Sequence, residues 1–149
     1  MKNKIIATNP GLRDYKLYHT LEAGLVLKGW EVKSIRLWGI NLKGAHIGFN
    51  RQGAILLNAA IRPYPFAQIP ESQKTRSRPL LLHQKEIDYL YGKASGKFFI
   101  IPTKVYWKNN KIKIEIAVAR KLKKWQKKAK LKQKDIDRQA AKELSDLNL

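Results

Sequence analysis

The stretch from Phe98 to Val118 constrains this chain more than any other. Phe99, Ile101, Val105 and Trp107 lead into Asn109-Asn110, and Ile112, Ile114, Ile116 and Val118 follow at alternate positions with charge between them. An apolar residue at every second position turns one face of an extended strand toward a core. Paired asparagines, which tolerate positive φ, suit the tight turn that joins two such strands. The pattern predicts a long β-hairpin.

Other segments supply neighbours for it. From Tyr15 to Leu27 the odd positions Tyr15, Leu17, His19, Leu21, Ala23, Leu25 and Leu27 alternate with Lys16, Thr20, Glu22, Gly24 and Lys28, which predicts a half-buried strand interrupted at Gly24. Val32, Ile35 and Trp38 then recur at helical spacing, with Lys33 and Arg36 between them, so a short amphipathic helix should end at Gly39. Ala45–Phe49 and Ala54–Leu57 flank Asn50-Arg51-Gln52-Gly53, whose Asn and Gly can supply the positive φ of a second hairpin. Pro63, Pro65, Pro70 and Pro79 remove backbone donors between Arg62 and Pro79, a stretch expected to be a long loop. Gln84–Tyr91 should be helical, with Ile87, Leu90 and Tyr91 on one face and Gly92 as its stop. Strands joined by short turns, two small inserted helices and no βαβ alternation predict a mainly β chain. An OB-like antiparallel β-barrel fits best, with a split sandwich as the alternative.

Charge divides the 149 residues in two. Residues 1–119 carry 20 basic and 7 acidic side chains, net +13, and residues 120–149 carry 11 and 4, net +7. Arg120 to Lys134 holds nine basic residues and no acid, with only Leu122, Trp125 and Leu131 as large apolar groups. So little apolar surface does not offset the entropy of ordering, so this basic C-terminal tail should be disordered when free. Ile136, Ala140, Leu144 and Leu147 recur at three- and four-residue intervals, and would form a helical face if a partner covered them. The expected organisation is a barrel over 1–119 and a basic tail over 120–149. A formal charge of +20 calls for a polyanion, and charge spread over strands and loops favours nucleic acid over a lipid surface. Apolar runs such as Phe98–Pro102 fall far short of the roughly 18 residues a membrane span needs. With no signal-like apolar N-terminus and no cysteine, a cytoplasmic monomer is expected.

Catalytic chemistry has little to work with. His19, His46 and His83 are not spaced as metal ligands and no thiolate can join them. His19, on the apolar face of its strand, reads as a packed, hydrogen-bonded side chain. Gly92-Lys93 and Gly96-Lys97 lack the spacing of a phosphate loop, and Glu86 and Asp88, two apart, face different sides of a helix. No enzyme activity, metal or cofactor is expected.

The block Glu22-Ala23-Gly24-Leu25-Val26-Leu27-Lys28-Gly29-Trp30-Glu31-Val32-Lys33-Ser34-Ile35-Arg36 resembles the signature of the SmpB family, E-A-G, three apolar residues, x-G-x, then E-V-K-S-[LI]-R. Asn41-Leu42-Lys43, Ile61-x-Pro63-Tyr64, Thr75-Arg76-Ser77-Arg78-Pro79-Leu80-Leu81-Leu82-His83 and Tyr106-Trp107-Lys108-Asn109 match the same family in the same order. The resemblance implies an OB-like barrel that clasps the tRNA-like domain of transfer-messenger RNA. It also implies a tail that enters the small ribosomal subunit when no codon occupies it, so that stalled ribosomes are rescued. The implied partners are that RNA, small-subunit ribosomal RNA and, through the aminoacylated RNA, elongation factor Tu. It places Glu22 and Leu81 in RNA binding, with Ala23, Gly24 and Tyr15 beside them; Lys33, Arg36, Arg76 and Arg78 are phosphate-contact candidates as a cluster. In the tail, Lys121, Lys123, Lys124, Trp125, Lys127 and Lys128 are the ribosome-binding candidates, Trp125 by stacking. The chain departs from the family at Asn9–Tyr15, where the N-terminal motif is one residue short, at Pro79, and at Lys121–Lys128. A structural ribosomal protein is the competing function; the Glu22–Arg36 block speaks against it.

Overall fold

The computed structural model describes residues 4–123 and 136–139. Its strands are β1 (Lys4–Thr8), β2 (Tyr15–Leu25), β3 (His46–Asn50), β4 (Gly53–Leu57), β5 (Arg78–Leu81), β6 (Phe99–Lys108) and β7 (Lys111–Lys121). Helix α1 (Gly29–Trp38) follows β2, and α2 (Gln84–Ser95) follows β5. The strands form one antiparallel sheet in the order β1-β6-β7-β2-β5-β4-β3. β3, at one end of that order, lies against β6 near the other, which curls the sheet into an OB-like barrel.

The predicted hairpin is β6–β7. Asn109 and Asn110 both adopt positive φ, 51° and 66°, and Val105 and Trp107 stand opposite Ile114 and Ile112. Ile112, Ile114, Ile116 and Val118 are buried with Leu25, Ile35, Leu56, Ile61 and Leu90. At roughly 1.5 to 3 kcal/mol for each large side chain, this shared interior holds the sheet closed. Pro102, which has no N–H to give the ladder, precedes a register shift before Lys104, and its carbonyl accepts from Asn9 Nδ2 at 2.7 Å. Asn9 is therefore a buried brace, its backbone N–H donating to Thr103 and its Oδ1 accepting from the Gly11 N–H at 2.9 Å.

Several expectations need correction. β2 ends at Leu25, and a register shift between Leu17 and His19 breaks its alternation. His19, which lies in the same register as Leu21, is nevertheless exposed, with its Nδ1 3.0 Å from the Tyr89 hydroxyl, and only the stretch from Leu21 follows the inward odd positions. α2 runs through Gly92 to Ser95 and stops at Gly96, because an interior glycine costs only about 1 kcal/mol and the helix buries Leu90 completely. The proline-rich segment closes on a strand, since β5 begins at Arg78 and Pro79 pairs with Ile55. β1 has no counterpart in the sequence pattern. In the β3–β4 turn Gly53 takes the positive φ, whereas Asn50 accepts the Gln52 N–H at 2.9 Å. β7 also continues two residues past the boundary expected at Ala119, pairing Arg120 with Lys16 and Lys121 with Tyr15. The Leu122 N–H then donates to the Asp14 carbonyl. Residues 136–139 are an exposed helical turn; the rest of the expected tail from Lys124 onward lies outside the described residues.

Candidate nucleic-acid interface

At its C-terminal end β2 gains a second neighbour. Gly24 stands between Lys113 of β7 on one side and Leu81 of β5 on the other. A Cβ at position 24 would lie 3.1 Å from Leu81 Cβ and Cδ1, so the glycine lets the leucine settle closely across the strand, where a larger residue would push it aside by a few tenths of an ångström. Leu81 still leaves 62% of its surface in solvent, while Leu80 beside it points into the core.

A shallow groove flanks this leucine, formed by Gly24, Leu81, Arg36, Trp107, Lys111 and Lys113. Its cationic wall is built in part by stacking, because the Arg36 guanidinium carbon lies 5.2 Å from the Trp107 ring centre. A second hollow shares Gly24, Leu81 and Lys113 and adds Glu22, and a third joins Glu22 to Lys4, Lys104 and Lys108. The hollows adjoin through shared residues around an exposed apolar side chain, and their lysines and Arg36 outnumber the acids Glu22, Glu86 and Glu115.

Glu22, which lines two of the hollows, is the acid nearest Leu81, with Glu86 and Glu115 farther out. It accepts from the Tyr106 hydroxyl and from Lys108 Nζ at 3.1 and 3.3 Å. The Tyr106 hydrogen bond, with smaller help from Lys108 and Lys113, holds its carboxyl below the usual range in spite of some desolvation. Burial, then the neighbouring Glu22, push the Tyr106 phenol up, so it stays protonated and donating. A charged carboxylate here repels phosphate but accepts from ribose 2′-hydroxyls and base amino groups. This face thus combines phosphate-attracting cations with a carboxylate that Tyr106 and Lys108 hold in place.

The sequence-derived candidates divide. Glu22, Ala23, Gly24, Leu81 and Arg36 converge on this face, although Ala23 points into the core. Lys33, one turn before Arg36, turns instead to Tyr64, 5.8 Å from its ring. Tyr15 lies at the far end of β2, about 23 Å from Glu22 and about 30 Å from Gly24 at a strand's rise per residue, with its ring edge-on to Phe99. Arg78 is not a phosphate contact, because it is wholly buried. Its Nε donates to Glu31 Oε2 at 2.6 Å, Nη1 to the Ala59 and Arg76 carbonyls, and Nη2 to those of Gln73 and Lys74. Arg76 donates to the same Glu31 through Nε and Nη2, so its guanidinium is turned toward the buried carboxylate that it shares with Arg78. Glu31 is buried too; burial pushes its carboxyl up, but the bonds from Arg76, the Lys28 backbone and Arg78 outweigh that and hold it down. Lys121 belongs to β7, Lys123 is exposed just beyond it, and Lys124, Trp125, Lys127 and Lys128 lie outside the described residues. Sequence reasoning missed Trp107, Tyr106, Lys108, Lys111 and Lys113. The signal was present, since Lys111 and Lys113 are the outward positions between the buried isoleucines of β7.

The family model described as SmpB protein matches residues 6–146. The chain belongs to the SmpB family. The SsrA-binding protein of Persephonella marina (strain DSM 14350 / EX-H1) is 43% identical over 141 residues, covering 93% of each chain. That of Aquifex aeolicus (strain VF5) is 44% identical over 131 residues, 87% of this chain and 83% of its own. A solved structure described as "tmRNA-SmpB: a journey to the center of the bacterial ribosome" contains a similar chain, with 33% identity and a TM-score of 0.65. The likeness covers 79% of this chain and 85% of that one. The SmpB match thus takes in the barrel from within β1 onward and extends into the basic segment beyond it.

Proposed function

We propose that this chain binds transfer-messenger RNA on the face centred on Glu22, Gly24 and Leu81, and acts with that RNA on the ribosome in trans-translation rescue. The observation that carries the assignment to this face is Leu81, held exposed across Gly24 between the fixed carboxylate of Glu22 and the stacked Arg36–Trp107 pair. Lysines on both sides supply the sequence-independent attraction, while Leu81 and Glu22 supply shape and a hydrogen-bond acceptor. The barrel holds the RNA, and the basic segment beyond Lys123 engages the ribosome. Both tasks are binding, with no covalent step.

A gel-shift titration with transfer-messenger RNA tests the face. Glu22→Ala and Leu81→Ala should each weaken binding about tenfold, the loss of roughly one good contact, while the melting temperature changes little, since exposed ion pairs contribute about 1 kcal/mol or less. Unchanged affinity in both variants would remove the assignment. A fall in melting temperature that tracks the affinity loss would make Glu22 a structural residue.

A further inference from the structure

A second cluster of rings and cations stands beyond α1, apart from the groove. The Arg62 guanidinium carbon lies 4.3 Å from the Trp38 ring centre, and Lys33 Nζ lies 5.8 Å from that of Tyr64. Trp38 is 6.2 Å from Tyr64, and Tyr64 meets Phe66 edge-on at 5.4 Å. Solvent reaches 81% of Phe66, 61% of Leu37 and 41% of Trp38. Among the described residues no carboxylate pairs with Arg62 or Lys33.

The cluster is built rigidly. The buried Ser34 hydroxyl donates to the Arg62 carbonyl and ties the loop to α1, Pro63 and Pro65 fix φ on either side of Tyr64, and the Ala67 N–H closes a turn on the Tyr64 carbonyl. A loop that holds a phenylalanine four-fifths exposed gains nothing for its own stability from that ring. Aromatic faces interleaved with unpaired cations suit bases that stack and phosphates that follow them. The position selects the ligand: Lys33 and Arg36 are one turn apart on α1, so a strand leaving the groove over Arg36 passes directly to Lys33 and Tyr64.

We propose that the Trp38–Tyr64–Phe66 cluster is a second RNA-binding surface, on which unpaired bases of the same RNA that occupies the groove stack, their phosphates held by Arg62 and Lys33. The proposal rests on the binding function above and extends its footprint across α1.

The test uses full-length protein and transfer-messenger RNA, titrated by fluorescence anisotropy alongside a fully paired RNA duplex. Phe66→Ala should weaken binding to the transfer-messenger RNA roughly tenfold, one base stack's worth, and leave duplex binding unchanged. Phe66→Trp should keep affinity, and Phe66→Leu should fail like the alanine variant, because leucine has no π-face. The melting temperature of every Phe66 variant should match that of the wild type. Equal affinity of Phe66→Ala and wild type, in an assay where Leu81→Ala does weaken binding, overturns this proposal and leaves the groove intact. If neither substitution has an effect, the groove assignment falls as well. Rescue by leucine, or a dimer in sedimentation that Phe66→Ala dissolves, overturns it in favour of a protein partner or a second copy.

Discussion

A guanidinium sealed inside a protein is tolerated when each of its N–H groups is met, and Arg78 engages Glu31 and four backbone carbonyls. A lysine has too few donors, and no planar fork, for the same task. Arg78→Met should therefore cost about 3 to 5 kcal/mol in a urea melt, the usual consequence of breaking a buried pair; a loss below about 1 kcal/mol would mean that Arg76 alone satisfies Glu31. The pH dependence has a definite sign. Because the Glu31 carboxyl is held below its usual range in the fold, its contribution is complete above the ordinary carboxylate range and disappears as pH falls through the lowered value. The stability gap between wild type and Glu31→Gln should accordingly narrow on acidification. Sequence placed Arg78 on the surface because an Arg-Ser-Arg run does not say which arginine turns inward. Strand parity does, since Arg78 shares the inward side with Leu80, but Pro79 concealed the strand. Glu22, Gly24 and Leu81 became legible together through the family block; alternation alone separates Leu81 from them by most of the chain.

Elements with strict periodicity were legible: β6, β7, α1 and the β3–β4 hairpin each lie where their patterns put them. Those that failed did so for identifiable reasons. In β2 parity alone misleads, because His19 shares the parity of Leu21 and lies in the same register, yet it is exposed with its ring edge-on to Tyr89 of α2. β1 is short and largely exposed, sitting on the sheet edge, so it carries little apolar alternation to detect. The β6–β7 hairpin is where an element can be tested by one turn residue. Asn110 sits at φ 66°, a conformation that costs a β-branched residue about 1 to 2 kcal/mol. Asn110→Val should lower stability by about that amount in a thermal melt, whereas Asn110→Gly should hold or raise it. Because Asn110 also borders the Arg36–Trp107 groove, the glycine variant serves as the control for RNA binding. If valine is as stable as asparagine, the turn does not set the register of the hairpin.

For the molecule as a whole, the question is whether holding RNA and serving the ribosome are separable. Every strand among the described residues is complete by Lys121, and the Leu122 N–H is still bound to the Asp14 carbonyl, so a cut after Ala119 would remove two β7 residues and that bond. A cut after Lys123 preserves them. The chain truncated there loses the basic run that begins at Lys124 but keeps the groove, its lysines and the aromatic cluster beyond α1. It should bind transfer-messenger RNA with somewhat lower affinity and a shallower salt dependence, the slope falling by roughly 0.7 to 0.9 log units for each phosphate that is no longer neutralised. Preference for that RNA over a paired duplex should persist, because shape and stacking stay with the barrel. In a reconstituted tagging assay on stalled ribosomes the same protein should be inactive. Within the full chain, Trp125→Ala should reduce tagging more than Lys124→Ala, since a stacked base is worth about 1 to 3 kcal/mol whereas neighbouring lysines replace one charge. Normal tagging by the truncated chain would make the segment dispensable. Loss of RNA discrimination on truncation would instead place part of the recognition beyond Lys123, and the barrel would no longer suffice as the RNA-binding unit.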